Sequence, residues 1–426
     1  SGMSEFLAPL DYRRAKDTMR ALDFYTAYTP DGAARVAALL KERYPMVFAR
    51  TEPKTLANGA LVLEMPGANI TDPLVFVSHM DSLHCKEPPI TSLAPFSAPL
   101  QRAHVIALLE ALDALLQSGY QPGGELFIAL SMDGLGTGAG AKSVVEYLQK
   151  RQISPCFVLD HGGYATHAAF RRYLPKGAPL ALIGITEKGR LEGRLIATGT
   201  QAGDDRSAAR PLNVLLKCGS RLGMRPRRAS LCKASEQMLR EIARHAPLFP
   251  SLLIARPRVT FPLLKAMWRK RAIMAQFFES ELTVTGVSTQ GEPSRSPTEA
   301  ELTFSLQTVP GKKLPAWKNS LRRKVCRHGA RMEITVENEH SSRSRTDGEA
   351  WVALETAIEI LFERAVIAPC LSPNVTDGRF YSALNGKVYR FSPFLLSGEE
   401  ALRGECTVDD CALQTAVQFF RQMLSV

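Results

Sequence analysis

The sequence predicts an α/β fold: a mostly parallel sheet domain with helices on both faces, interrupted by a smaller α+β lid domain. Three observations predict it. The first 185 residues alternate short, wholly apolar runs with longer amphipathic ones. Strands buried on both faces read this way, because crossover helices cover both sides of a parallel sheet. Near Thr186 the pattern changes to amphipathic strands of alternating character. After Ser341 the first pattern returns, so the sheet domain takes its last segments from the C-terminal part of the chain. The expected boundaries are 3–188 with 341–426 for the sheet domain and 189–340 for a basic lid, with Ser1-Gly2 set aside as a cloning remnant.

Each element has a local reason. Asp31 to Arg43 (DGAARVAALLKER) shows helical apolar spacing behind an Asp cap. Leu74 to Ser78 is a buried strand, and Ala103 to Leu116 (AHVIALLEALDALL) is a strong helix that ends before Gly119. Glu125 to Leu130 and Cys156 to Leu159 are further buried strands, with a helix at Ala141 to Lys150 between them. In the insert, Leu191–Gly199, Leu282–Thr285, Leu302–Gln307 and Met332–Val336 read as strands, accompanied by helices near 211–221, 231–245 and 316–327. Phe261 to Phe278 (FPLLKAMWRKRAIMAQFF) is helix-like, with a basic knot, Arg269-Lys270-Arg271, amid bulky apolar residues. Such a stretch either makes peripheral contact with lipid or an acyl chain, or packs on its own domain with the knot solvated; the second is favoured. Trp351–Arg364 (helix), Val366–Leu371 (strand) and Asp409–Leu424 (helix) complete the sheet domain.

Composition bounds the function. A chain of 426 residues is long enough for two domains. Its 45% hydrophobic and 22% charged residues exclude a disordered or collagen-like chain. No run reaches the ~18 apolar residues of a spanning helix. The eight cysteines are scattered without a CxxC pair, so reduced thiols and a cytoplasmic location are expected. The net charge of +11 is concentrated: residues 190–340 hold 27 Lys/Arg against 13 Asp/Glu. That excess favours an anionic partner, whether a carboxylate ligand, nucleic acid or a membrane surface, or is simply a basic surface with no partner.

Ligands in open parallel sheets bind outside the carboxyl ends of the strands. Four such ends carry polar residues: Ser78-His79-Met80-Asp81, Met132-Asp133-Gly134, Asp160-His161-Gly162-Gly163 and Asn374 to Tyr381 (NVTDGRFY). A His leaving a buried strand, with an Asp two residues on to orient its ring, is a recurring metal-ligand arrangement. The glycine-rich GLGTGAG at 134–140 lacks the Lys and Ser/Thr of a phosphate-binding loop and reads as a turn.

The ordered runs VFVSHMD, LLEALDALLQSGYQPGGELFIALSMDG, GAKSVVEYL, FVLDHGG and IGITEKG resemble the co-catalytic di-zinc aminoacylase and carboxypeptidase family. TDGRFYSALNGKVYRFSP and GECTVDD…AVQFFRQML continue the match. That family includes carboxypeptidase S, the fatty-acyl amino acid hydrolases and succinyl-diaminopimelate desuccinylase. The resemblance covers nearly the whole chain, least clearly over 222–280. It implies a zinc-bearing α/β domain with a lid often used for dimerisation. It also implies two zinc ions that polarise a bridging water and the scissile carbonyl while a Glu acts as general base.

The same resemblance places His79 as a zinc ligand, Asp81 as the residue that orients it, and Asp160 as the carboxylate on the same zinc. The bridging Asp position holds Leu100, or Gln101 in the next register. The paired Glu residues, base then ligand, fall on Asp133 and Gly134, or on Gly134 and Leu135. The terminal His position holds Arg403 or Ala401, and the last His in the chain is His340. The His that the family's lid supplies to the oxyanion is Asp204 or a neighbour here.

These departures imply no cofactor or a single zinc rather than a di-zinc centre, with His161, His104 and His84 as substitute ligands. Arg379, next to Asp377, either grips a ligand carboxylate through a bidentate pair or pairs with a carboxylate of its own domain. The leading expectation is a protein that has lost standard di-zinc hydrolysis and binds or transforms an amide-linked, carboxylate-bearing small molecule, an acyl-amino acid or peptide-like compound. A single-metal amidase and a non-catalytic interaction protein using the basic lid are the alternatives. A homodimer through the lid is the expected assembly, and nucleic acid is not an expected partner.

Overall fold

A computed structural model describes residues 10–22, 30–68, 72–81, 97–134, 136–199, 211–223, 228–268, 270–290 and 298–426. The chain forms two compact units. The larger comprises Ser1–Glu187, Lys233–Met274 and Ser342–Val426; the smaller comprises Lys188–Cys232 and Ala275–Ser341.

The larger unit is built on a mixed sheet whose centre is parallel, as the apolar runs predict. Leu74–His79 lies between Leu126–Ser131 and Phe157–Asp160, parallel to both. Phe157–Asp160 is in turn parallel to the short strand Val388–Arg390. Leu180–Glu187 follows in the sheet and pairs in parallel with Val366–Ser372. Antiparallel strands Leu61–Met65 and Glu52–Thr55 extend the other side. Every residue of the three central strands is buried, because helices cover both faces. On one face Val144, Val145 and Leu148 of helix Ala139–Lys150 pack on Val75, Val77, Phe127 and Val158. Helix Leu100–Gln117 packs on strand Leu74–His79 and on the final helix Asp410–Leu424. The pairing register sets the site: His79 lies opposite Ser131, and Arg390 opposite Asp160.

The smaller unit carries an antiparallel sheet in the order Arg228–Ala229, Glu279–Gln290, Glu299–Thr308, Gly189–Thr198, Arg331–Asn338. Glu299–Thr308 alternates strictly between buried and half-buried residues, the signature of a sheet with one covered face. Leu215, Cys218 and Leu222 of helix Pro211–Gly223, with Leu321 and Val325 of helix Leu314–Cys326, fill that face against Leu191, Leu195, Leu302 and Phe304.

Two expectations about the insert change. Residues 233–274, assigned to the lid from sequence, fall in the larger unit. Helix Lys233–His245 buries Ala234, Met238, Leu239 and Ile242 and packs on strand Val366–Ser372. An amphipathic period shows which side of a helix is covered, but not which sheet covers it. The basic excess is therefore shared: 233–274 alone holds nine Lys/Arg against two Asp/Glu. The stretch 261–278 is also not one helix. Pro257–Trp268 and Ala272–Phe278 are separate, and a helix the sequence did not announce, Leu248–Ala255, precedes them. Among the described residues no helix is long and apolar enough to cross a membrane.

Candidate functional site

The polar centre of the larger unit forms where the parallel strands end. His79 closes strand Leu74–His79, and its ring Nδ1 lies 2.8 Å from Asp81 Oδ1. The Gly134 N–H donates to the same oxygen at 2.9 Å, and the Gln101 side-chain amide donates to the Asp81 carbonyl at 3.1 Å. Burial works against protonation of His79, but the Asp81 charge and hydrogen bond, with Asp377 and Asp160 beyond, carry the imidazole up to about 9. Gly134 has to be glycine here. A Cβ at this position would sit 2.4 Å from the His79 ring, so no side chain fits beside it without movement.

Asp160 ends the neighbouring strand. Its Oδ1 accepts from the His161 backbone N–H and faces the His161 ring Nδ1, both at 2.7 Å, while Oδ2 accepts from the Gly378 N–H at 2.6 Å. Burial opposes ionisation of Asp160, but the His161 contact and hydrogen bond, with the Arg390 guanidinium beyond, outweigh it and hold the carboxyl below its usual range. Burial pushes the His161 ring down despite Asp160. His79 with Asp81 and Asp160 with His161 thus form two closed pairs, with the His79 and His161 ring centroids 4.8 Å apart.

Asp377 enters from the segment 374–381. Its Oδ2 accepts from the Ser131 hydroxyl, whereas Oδ1 is buried and has no partner among the described residues. Burial pushes this carboxyl up to about 7, with Asp160 and Asp81 assisting and His79 and Ser131 opposing. His104 projects from helix Leu100–Gln117, its Nδ1 3.1 Å from Ser392 Oγ and its ring edge-on to Phe420. Its Nε2 is buried with no partner among the described residues. Burial and the adjacent His161 push His104 down to about 3, so it is neutral. The His104 and His161 centroids are 6.4 Å apart.

Arg379 takes the own-domain pairing that the sequence left open. Its Nε lies 3.4 Å from Glu187 Oε1 and donates to the Thr376 carbonyl at 3.1 Å. Nη1 is buried without a partner among the described residues. Arg390, fully buried, reaches the same Glu187 at 3.3 Å and donates from Nε to Thr376 Oγ1 at 3.0 Å. Two guanidinium groups therefore share one carboxylate. Glu187, Arg390, Ser131 and Ser392 were missed by sequence reading. Glu187 carries the same signal as His79 and Asp160, a polar residue ending a mostly apolar, wholly buried strand, Leu180–Glu187.

Asp133 is a correction. Sequence reading puts it at the general-base position, but its carboxylate turns to the start of helix Ala139–Lys150. Oδ2 accepts from Ala139 N–H and Thr137 Oγ1, and Oδ1 from Gly140 N–H. Asp in a glycine-rich turn satisfies orphan amides at a helix start, and that demand consumes both oxygens. The Leu100 N–H donates to the Gly404 carbonyl at 2.9 Å, so the segments expected to carry the bridging carboxylate and the terminal His meet here. Arg403 pairs with Glu399 at 3.2 Å and is exposed. His84, Leu135, Asp204 and Arg269 lie outside the described residues.

Comparisons with known proteins converge. The model of the peptidase family M20/M25/M40 matches residues 75–425. The chain is similar to the N-fatty-acyl-amino acid synthase/hydrolase PM20D1 of Homo sapiens, 24% identical over 331 residues, which is 75% of this chain and 65% of that protein. It therefore spans about two thirds of that relative's length. It is also similar to a probable carboxypeptidase S-like protein of Dictyostelium discoideum, 24% identical over 402 residues, covering 89% of this chain and 76% of that one. Among solved structures, an M20 family metallo-carboxypeptidase from Sulfolobus solfataricus matches with a TM-score of 0.67 at 14% identity, over 96% of this chain and 98% of that one. A dinuclear metal-binding M20 peptidase of Bacillus subtilis matches with a TM-score of 0.52 at 15% identity, over 97% of each chain. These structures share the fold.

Proposed function

The chain belongs to the peptidase family M20/M25/M40, and on that footing we propose that it binds an acyl-amino acid or peptide-like ligand by its carboxylate without ordinary two-zinc hydrolysis. Members of the family are metal-dependent, typically with two zinc ions. The observation that carries the proposal is the donor chemistry where Leu100 meets Gly404. The expected bridging position holds Leu100 or Gln101, without a carboxylate, and the expected terminal position holds Ala401 or Arg403, a cation held by Glu399. Neither can clamp a divalent ion. Gly134 offers no donor beside His79, and Asp133 is spent on a helix start. Among the described residues the donor set does not fit a dinuclear centre.

What the centre retains is hydrogen-bonding capacity for an organic ligand. Arg379 Nη1 suits a carboxylate, and Asp377 Oδ1, on a carboxyl that is half protonated near neutrality, suits an amide. The test has two arms. N-acyl amino acids and dipeptides should bind, their methyl esters should bind at least about tenfold more weakly, and Arg379→Lys should lose the preference for the acid. Incubation with zinc should give fewer than two equivalents per chain and no hydrolysis above buffer. Two equivalents with robust turnover would reverse the proposal.

One observation favours a second reading, a single-zinc amidase. Three imidazoles stand in file, and His104 Nε2 is neutral and without a partner among the described residues. One zinc could draw on His79, Asp160 and one of His161 or His104. One equivalent of zinc, lost together with amide hydrolysis in His79→Ala, would select this reading.

A further inference from the structure

Helices Leu248–Ala255 and Pro257–Trp268 form a face of the larger unit that the site does not use. Their inner side is anchored: Ile254, Pro257, Leu264 and Trp268 are buried, and Trp268 packs edge-on against Phe170 and Tyr173. Their outer side is apolar and bare. Leu248, Phe249 and Val259 are 73%, 81% and 78% exposed. Val259, Leu263 and Met267 recur every fourth residue and so make one stripe along the second helix. Large apolar side chains left in water along two consecutive helices mark a contact surface.

Charge chooses the occupant. Residues 246–278 contain six Lys/Arg and no Asp/Glu. Arg256, Lys265, Lys270 and Arg271 are exposed, while Arg258 is tied to Glu236 at 3.0 Å. A second copy docked on this face by two-fold symmetry would set each cationic rim against its equal. Anionic headgroups meet the same rim with opposite charge, and the acyl region below them receives Phe249, Leu252 and Leu263. We propose that this helical pair seats the protein on the surface of an anionic lipid bilayer, lying in the interface without spanning it.

Co-sedimentation of the full chain with vesicles tests this. Phosphatidylcholine vesicles containing phosphatidylserine should retain the protein and phosphatidylcholine alone should not, with retention falling as salt rises. Lys270→Gln with Arg271→Gln should weaken binding roughly 30-fold, at about a factor of five per cation. Phe249→Gln with Leu263→Gln should abolish it, although these exposed positions leave thermal unfolding unchanged. Arg322→Gln with Arg323→Gln, on an exposed basic helix of the smaller unit, should leave binding as it was. An equal loss in that control would reduce the attraction to bulk charge and overturn the proposal. So would protein that stays in the supernatant with both vesicle types, or a dimer in solution that the Phe249/Leu263 variant dissociates.

Discussion

Two halves of the buried polar centre differ in how completely they are satisfied. In one, His79 rests on Asp81, and Asp160 accepts from His161 and Gly378, every contact being 2.6 to 2.8 Å. In the other, Asp377, His104 and Arg379 each make a bond on one side and keep a buried atom with no partner among the described residues. A buried polar atom left unmatched costs about 1–3 kcal/mol. The closed half therefore reads as scaffold, and the open half as the place where a ligand's polar groups have something to gain.

The largest test of this contrast is Glu187. Glu187→Ala strips the shared carboxylate from two buried guanidinium groups, Arg379 and Arg390, and should cost about 3–5 kcal/mol in urea unfolding. A loss below about 1 kcal/mol would mean that the cluster is solvated and the contrast false.

Acidity comes next. The folded pKa of His79 is raised from 6.5 to about 9, so its stabilisation is complete below 6.5 and lost as pH rises through 9. That of Asp377 is raised from 3.8 to about 7, so it too removes stability as pH rises, over a lower window. Chelator-treated protein should therefore lose stability as pH rises from 6.5 to 9, by on the order of 3 kcal/mol across the His79 window. Asp377→Asn should flatten the lower window, raise stability above it, and narrow the His79 window by removing one of the charges that support the imidazolium. His104, pushed down to about 3, acts in the opposite sense below pH 6.5, so the alkaline limb is the decisive one: stability that does not fall between pH 6.5 and 9 would contradict the His79 assignment.

Gly134→Ala forces a methyl against the His79 ring and should cost about 1–3 kcal/mol in thermal unfolding, with loss of the raised His79 titration by NMR. The smallest effect is expected at His104. His104→Phe removes the unmatched Nε2 next to Phe420 and forfeits the Ser392 contact, so stability should change by no more than about 1 kcal/mol. A much larger loss would show that Nε2 already has a partner, and the open half would shrink.

Much of the fold is legible in the chain because its strands are short, apolar and closed by polar residues. Leu74–His79 and Val366–Ser372 fall within a residue of where their runs place them. The same grammar picks out His79, Asp160 and the Asp377 segment. It fails where partners are remote. Glu187 meets Thr376 across 189 residues and Ser131 meets Asp377 across 246, and no local pattern records such pairings. Arg390 lies on a strand of three residues, too short to show a period. Asp133 misleads for the opposite reason: its type suits catalysis, yet the nearest unmet demand is the start of its own helix.

The order of the sheet has a consequence for biosynthesis. Val388–Arg390 must slot between Phe157–Asp160 and Leu180–Glu187, which leave the ribosome long before it. Until then two raw strand edges face water or a chaperone, and neither can close on the other without trapping a misassembled sheet. Nascent chains stalled before Lys387 should for that reason stay protease-sensitive and chaperone-bound, and chains long enough to expose Val388–Arg390 should not.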